Sequence, residues 1–329
     1  MRLSFIIIGR NEGWKLSKCF DSVFESILFN NLKDSEVIYI DSQSTDNSVK
    51  IAQSYQKIKI FLITGELNAA IARNIGAKEA TGDILFFIDG DMELDKKFLS
   101  YAIVDNDLKY ENLTGHIDDY LYDHNNNFLG IKNRTYNQII PKKEQIIKTN
   151  GGIFLIKKSV WDFLNGMNTK YKRSQDIDFS IRLSKIGLSI FVLPYMICKH
   201  HTIEYSNDRR MWQNLNDKYY AYHALILREH FSSVFILKRF FRFNYTEFIL
   251  LCVFLSLISI KFFFPYISIL YIIILSLRSL SYTFKTKLLQ NRFKYFCARF
   301  GYQMLHDILF WYGFFFFWPH KEEMKYIKL

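Results

Sequence analysis

The stretch "ILFFIDGDMEL" (84–94) sets five apolar residues in a row and then places Asp89 and Asp91 around Gly90. A short, wholly apolar run is the pattern of a strand buried on both faces, as in a parallel sheet covered by helices. The acidic turn behind it suits either a solvated loop or a seat for a hard divalent cation at the end of a strand. Taken alone, Asp-x-Asp carries little weight, so its neighbours decide.

Similar runs recur upstream. Leu3 to Ile8, "EVIYID" (36–41) and "IKIFLI" (58–63) read as strands one to three, and Ile84 to Ile88 as strand four. Between them, apolar residues at 16, 19, 20, 23, 24, 27 and 28 have helical spacing, and helices are also expected over 44–54 and 68–80. Such alternation predicts an α/β, doubly wound, mostly parallel sheet. Residues 95–150 are less regular and suggest an inserted sheet region or loops. Order returns at "GGIFLIKKSVWDFLNG" (151–166), a helix from about Asp176 to Gly187, a strand at 189–194 with "KHH" (199–201) after it, and a polar, aromatic helix over 209–230.

The 329 residues are 50% hydrophobic and 18% aromatic, unevenly spread, with a net charge of +11. From about 243 the apolar runs lengthen. Residues 245–264 and 265–284 are each about 20 residues, roughly enough to cross a ~30 Å hydrocarbon core, and a third segment (295–318) is expected to span or to lie in the interface. Basic residues flank these runs (Lys238, Arg239, Arg242, Lys285, Lys287, Arg292, Lys294, Arg299), which favours a lipid bilayer as the anionic partner. No nucleic-acid motif is present. Four scattered cysteines without a CxxC pair, and an N-terminus too short in apolar residues for a signal peptide, place the first domain in the cytoplasm. The division expected is 1–205 catalytic, 206–242 an amphipathic interface region, and 243–329 membrane-associated helices.

In an open parallel sheet, ligands sit at the carboxyl ends of the strands. Strand one ends in Gly9-Arg10-Asn11-Glu12, strand two in Asp41-Ser42 with Asp46 beyond, and strand four in Asp89-Gly90-Asp91. Three polar strand ends on one rim make a site. Carboxylates there supply oxygen ligands for Mg²⁺ or Mn²⁺, which bridges to substrate phosphates.

The chain resembles glycosyltransferase family 2, the nucleotide-sugar transferases of GT-A fold, over roughly residues 3–201. The motifs that carry it are "FIIIGRNE" (5–12), "VIYIDSQSTDNS" (37–48), "NAAIARNIGAKEATGDILFFIDGDM" (68–92), "NGGIFLIKKSVW" (150–161) and "SQDIDFSIRLSKIG" (174–187), followed by "KHH". That resemblance implies an inverting transfer from a nucleotide-diphosphate sugar, with a lean towards UDP, to a lipid-linked or growing glycan. It implies that Asp41 contacts the nucleotide base with Arg10, Asn11, Glu12, Ser42 and Asp46 nearby, that Arg73 lies in the nucleotide-sugar site, and that Asp89, Gly90 and Asp91 hold the diphosphate through a metal. His200 or His201 could complete the metal sphere; His200 is preferred.

Asp176 is the expected general base, since the acceptor hydroxyl must lose its proton as it attacks. Relatives usually carry Glu-Asp where this chain has Gln175-Asp176, which removes one charge but keeps the acid. Asp178 points about 200° further round the helix and is the weaker candidate. Gln175 and Trp212 are the candidates on the acceptor side. Arg210-Met211-Trp212 does not match the Gln-x-x-Arg-Trp of processive synthases. A non-catalytic, membrane-bound relative that binds nucleotide sugars or glycans is the alternative, resting on Gln175 alone.

Overall fold

Each of the four apolar runs forms a strand. In the computed structural model, β1 (Leu3–Gly9), β2 (Glu36–Asp41), β3 (Ile58–Ile63) and β4 (Ile84–Asp89) lie parallel in the order β3-β2-β1-β4. Residues 1–123, 125–133, 143–203, 207–285 and 292–329 are described. Register pairs Gly9 with Asp41, and Ile8 with Asp89, so the carboxyl ends of β1, β2 and β4 stand level.

The pleat sorts the core into two layers. Leu3, Phe5 and Ile7 of β1 pack with Leu16, Cys19, Phe20 and Val23 of α1 (Gly13–Phe29). On the other face, Ile6 and Ile8 pack with Ala70, Ile71 and Ile75 of α3 (Ala69–Glu79). Between them in sequence, α2 (Ser48–Gln53) joins β2 to β3. Full burial of a large side chain such as Phe5 or Phe86 contributes about 1.5–3 kcal/mol. Asn68 starts α3: its Oδ1 accepts from the amides of Ala70 (2.6 Å) and Ile71 (3.3 Å), a cap worth about 1 kcal/mol.

Beyond β4 the sheet becomes mixed. β5 (Met92–Leu94) and α4 (Phe98–Ala102) lead to a small ribbon, β6 (Ile103–Val104) with β7 (Asp107–Leu108), and then to the long β8 (Asn112–Tyr122) and β9 (Phe128–Asn133). After β10 (Gln145–Ile147) come β11 (Phe154–Lys157), α5 (Lys158–Phe163), α6 (Gln175–Lys185) and β12 (Ile190–Ile203). The sheet runs β10-β12-β8-β11-β4-β1-β2-β3 and closes with β13 (Tyr326–Lys328), while β5 adds to β12 and β9 to β8. The irregular 95–150 region thus supplies a central strand, and residues 134–142 within it lie outside the described residues. "KHH" is inside β12 and not after it: the strand continues past Pro194 through two register shifts, at Val192/Met196 and Met196/Cys198.

Two units result, Met1–Glu204 with His320–Leu329, and Tyr205–Pro319. Residues 320–329, expected among the membrane-associated helices, belong to the first unit. There β13 pairs antiparallel with β3, and the Tyr326 hydroxyl donates to Glu79 at 2.6 Å.

In the second unit, the single helix expected over 209–230 is two, α7 (Asn207–Asn216) and α8 (Tyr219–Glu229), because Lys218 takes a left-handed backbone (φ 53°) between them. α9 (Val234–Phe243), α10 (Tyr245–Ser259), α11 (Phe264–Lys285) and α12 (Arg292–Phe316) follow. Among the described residues one helix, Phe264–Phe284, is alone long and apolar enough to cross a membrane. The expected span at 245–264 is corrected: α10 ends after 15 residues and reaches that length only together with α9, from which it is bent by 86°. α12 does not meet the same measure of length and apolarity. Lys287, one of the basic flanks, lies outside the described residues.

The charged residues inside these helices find one another. His306 Nδ1 of α12 is 3.2 Å from Glu247 Oε1 of α10, and Asp307 accepts from Gln303 (2.7 Å) and from the Tyr271 hydroxyl of α11 (3.0 Å). Glu247 and Asp307 are fully buried, so the cluster ties three helices together through groups that need partners.

Candidate active site

The loop after β1 and the loop after β2 are laced together by side chain to backbone bonds. Asn11 adopts a left-handed backbone (φ 58°), and its Oδ1 accepts from the Thr45 amide at 2.7 Å. Its own amide donates to Ser44 Oγ at 2.9 Å. Ser48 Oγ accepts from the amides of Glu12 (3.0 Å) and Gly13 (3.1 Å) and donates to Asp46 Oδ1 at 2.6 Å. Asp46 therefore fixes the start of α1 through Ser48. Asp41 is 1% exposed; it accepts from the Tyr39 hydroxyl (2.9 Å) and the Ser44 amide (2.8 Å). Ser42 donates its amide to the Gly9 carbonyl at 2.9 Å, whereas Arg10 and Asn11 stand exposed at the tip.

The acidic turn divides its two carboxylates between different partners. Asp89 accepts from Arg73 Nη2 at 2.7 Å, and Arg73, itself buried on α3, also reaches the Gly152 carbonyl at 3.3 Å. Gly152 is needed for closeness: a Cβ there would lie 2.0 Å from Asp89 Oδ2. Gly90 serves in the same way. It does not take a left-handed backbone, as a sharp bend would suggest, but a Cβ would sit 3.2 Å from both Glu12 Cγ and Leu16 Cδ1.

Asp91 faces His200. Their Oδ2 and Nε2 are 3.1 Å apart, and His200 Nδ1 is 2.6 Å from Asp119 Oδ1, so a histidine is strung between two carboxylates. Lys15 Nζ lies 4.0 Å from Asp91 and 2.6 Å from Glu12. Burial works against ionising Asp91, but the hydrogen bond and charge of His200, with Lys15, outweigh it and hold its pKa below the ordinary value. Glu12 moves the other way, raised by burial first and then by Asp91. His201 is turned elsewhere, between Glu93 (3.0 Å) and the Tyr122 hydroxyl (2.9 Å), with Trp14 against its ring.

The donor set suits a hard cation. Asp91 Oδ1 is buried and has no hydrogen-bond partner among the described residues, and beside it stand a second carboxylate oxygen and an imidazole whose far nitrogen is already fixed. The carboxylate oxygens are of the kind that could hold Mg²⁺ or Mn²⁺, and the imidazole beside them would favour Mn²⁺ of the two. Of the three ligands expected, Asp91 and His200 are brought together, and Asp89 is engaged by Arg73.

Asp176 lies in the first turn of α6, after Ser174 in a left-handed backbone (φ 63°). Its carbonyl accepts from Ser180 Oγ (2.7 Å), which in turn accepts from the Asn150 amide (3.0 Å). One segment, 150–152, therefore touches α6 at one end and Asp89 at the other. Asp178 is structural: it is buried and holds Arg182 at 2.9 Å, whose guanidinium also donates to the carbonyls of Leu164 and Gly166. Gln175 Oε1, next to Asp176 in the chain, is buried and has no hydrogen-bond partner among the described residues. Trp212 belongs to the second unit, on α7, and is half exposed. Sequence reasoning passed over Lys15, Asp119 and Gly152 as site residues. Lys15 left a signal, three residues after Glu12 at the start of a helix, and Gly152 lies in the quoted motif at 150–161.

A mixed, mostly parallel sheet with acids at the carboxyl ends of β1, β2 and β4, and helices on both faces, is a GT-A-like fold. Residues 4–162 match the model for Glycosyl transferase family 2, and the chain carries a glycosyltransferase domain of that family. It is 35% identical over 97 residues to the uncharacterized glycosyltransferase YibD of Escherichia coli (strain K12), covering 28% of this chain and 27% of the relative. It is 27% identical over 189 residues to the amylovoran biosynthesis glycosyltransferase AmsB of Erwinia amylovora, covering 52% and 61%. The chain thus spans less than two thirds of either relative. A crystal structure of residues 1–349 of S. aureus TarS has the same fold, with a TM-score of 0.55 at 15% identity over 95% of this chain and 92% of that one.

Proposed function

We propose that the chain is a membrane-associated, inverting glycosyltransferase that moves a sugar from a nucleotide-diphosphate donor, with UDP favoured, to a lipid-linked or growing glycan. The observation that carries the reading is the buried Oδ1 of Asp91, without a hydrogen-bond partner among the described residues, beside His200 at the end of the strand that also delivers Asp89 to Arg73. Asp91 and His200, with Asp89, would hold Mg²⁺ or Mn²⁺, which when bound neutralises charge on the departing diphosphate. Arg73 adds a fixed positive charge on the same side, already oriented by Asp89 and the Gly152 carbonyl. Asp41, with Asn11 and Asp46 shaping the loops around it, serves the nucleotide base.

Asp176 takes the proton from the acceptor hydroxyl as that oxygen attacks the anomeric carbon from the side opposite the diphosphate. One displacement by the acceptor itself inverts the centre, without a nucleophilic carboxylate. Membrane association through the helical unit, with the catalytic domain on the cytoplasmic side, is supported by the apolar Phe264–Phe284 helix and the basic residues flanking the apolar segments.

The test is turnover of UDP-sugars by the purified chain with Mn²⁺. Asp91→Asn and Asp176→Asn are each expected to lower turnover by about 100-fold or more while the melting temperature holds. Full activity in both variants would end this reading. Donor binding without turnover across a broad acceptor panel would favour the non-catalytic alternative.

A further inference from the structure

α9 presents two apolar rows, and only one of them is packed. Ile236 and Phe240 are buried, with the Phe240 ring 5.9 Å from Phe310 and 6.3 Å from Trp311 of α12. Val234, Leu237 and Phe241, three and four residues apart, form a second row that is 64%, 38% and 52% exposed. Lys238 and Arg242 stand exposed one residue beyond Leu237 and Phe241, and Arg239 lies close by with its guanidinium 5.2 Å from the Phe243 ring. No Asp or Glu occurs between Glu229 and Glu247.

The bend after α9 extends this row. At Asn244 the chain turns by 86° into α10, and Phe241 meets Phe248 across the turn with ring centroids 5.1 Å apart. A helix of this kind can lie along a surface while its successor leaves that surface steeply. Water is a poor neighbour for a continuous apolar row, and a row flanked by three cations without an acid matches a surface that is apolar beneath and anionic above.

We propose that α9 is an interfacial helix that seats the helical unit on an anionic bilayer. Val234, Leu237 and Phe241 enter the acyl boundary, and Lys238, Arg239 and Arg242 meet anionic headgroups. This rests on the membrane association proposed above and adds to it a preference for lipid charge. A basic residue near an anionic surface is worth about fivefold in partition, so removing two is expected to weaken α9 seating by about 25-fold.

The experiment uses the full chain with Cys252→Ser, Cys297→Ser and Leu237→Cys, labelled at residue 237 with an environment-sensitive fluorophore; Cys19 and Cys198 are buried. The chain is diluted from detergent into vesicles of phosphatidylcholine alone, or mixed with phosphatidylglycerol, and floated. The expected result is a blue-shifted emission that is strong with phosphatidylglycerol and weak without it. It should be reversed by salt and lost on adding Lys238→Gln and Arg242→Gln, both at exposed positions. Phe241→Ser, which keeps every charge, should weaken the shift on both vesicles. Equal emission on the two vesicle types, or no change on removing the charges, overturns the inference while membrane association stands. A chain that floats with neither overturns the association as well.

Discussion

At the scale of single residues, Asp119 is the instructive case. It contacts no substrate in the proposed reaction, yet it fixes which nitrogen of His200 faces Asp91. A carboxylate behind a ligating imidazole sets its tautomer and raises its basicity. Asp119→Asn is therefore expected to weaken Mn²⁺ binding about 10–100-fold, measured by titration calorimetry, with Asp119→Glu recovering part of the loss. Unchanged affinity would detach Asp119 from the site. Gly152→Ala tests the opposite side of the acidic turn. With a Cβ due 2.0 Å from Asp89 Oδ2, either Asp89 or the 150–152 segment must move. Displacement of that order costs roughly 100-fold in turnover, so activity should fall by about that factor while circular dichroism is unaltered.

At the scale of elements, Glu36 shows how the sheet is pinned away from its functional rim. Its Oε1 accepts from Ser4 Oγ (2.6 Å) and the Thr81 amide (2.7 Å), and its Oε2 pairs with Lys59 at 2.6 Å, joining β1, β2, β3 and the turn before β4. Burial opposes the charge, but Lys59, Ser4 and Thr81 outweigh it and bring the pKa from 4.5 down to about 2. Because the folded value is the lower one, the contribution is complete above about pH 4.5 and is lost as pH falls through about 2. Glu36→Gln should remove about 1–2 kcal/mol of acid-dependent stability between those limits, read from denaturant midpoints at several pH values.

The strands that Glu36 ties together were also the ones legible in the amino-acid pattern. β1 to β4 are buried on both faces, so their apolar runs are continuous, and the helices between them keep a regular period. β8 was illegible for a matching reason: "NLTGHIDDYLY" is buried over its first half and only half-buried over its second, where it carries Asp118 and Asp119. β12 was cut short by Pro194, which its register shifts accommodate. The site divided along the same line. Acids at the ends of legible strands could be named, whereas Asp119 depends on a pairing between distant segments that no local pattern encodes, and Gly152 lies in a quoted motif whose sequence does not say that it faces Asp89.

At the scale of the molecule, the first unit is made of two pieces of chain. Residues 320–329 supply β13, and besides its ladder with β3 the segment is held by the Thr64 amide to the Lys325 carbonyl (2.8 Å), the Leu329 amide to the Ile60 carbonyl (3.0 Å), Thr169 Oγ1 to the Glu322 carbonyl (2.8 Å), and Tyr326 to Glu79. A chain stopped at Pro319 should lose these and bare the edge of β3. Its melting temperature is expected to fall by roughly 5 °C, with concentration-dependent light scattering that the longer chain lacks.

The same strand sets an order of events. β3 leaves the ribosome early, but β13 follows only after the whole helical unit has been made. Closing so long a loop is slow, and meanwhile β3 offers unpaired backbone to any neighbour. A helical unit that is slow to pack lengthens that open interval in a crowded setting. The kinetic weak point of this chain is thus the sheet edge farthest in sequence from its final partner, and not the acidic turn where its chemistry is proposed to occur.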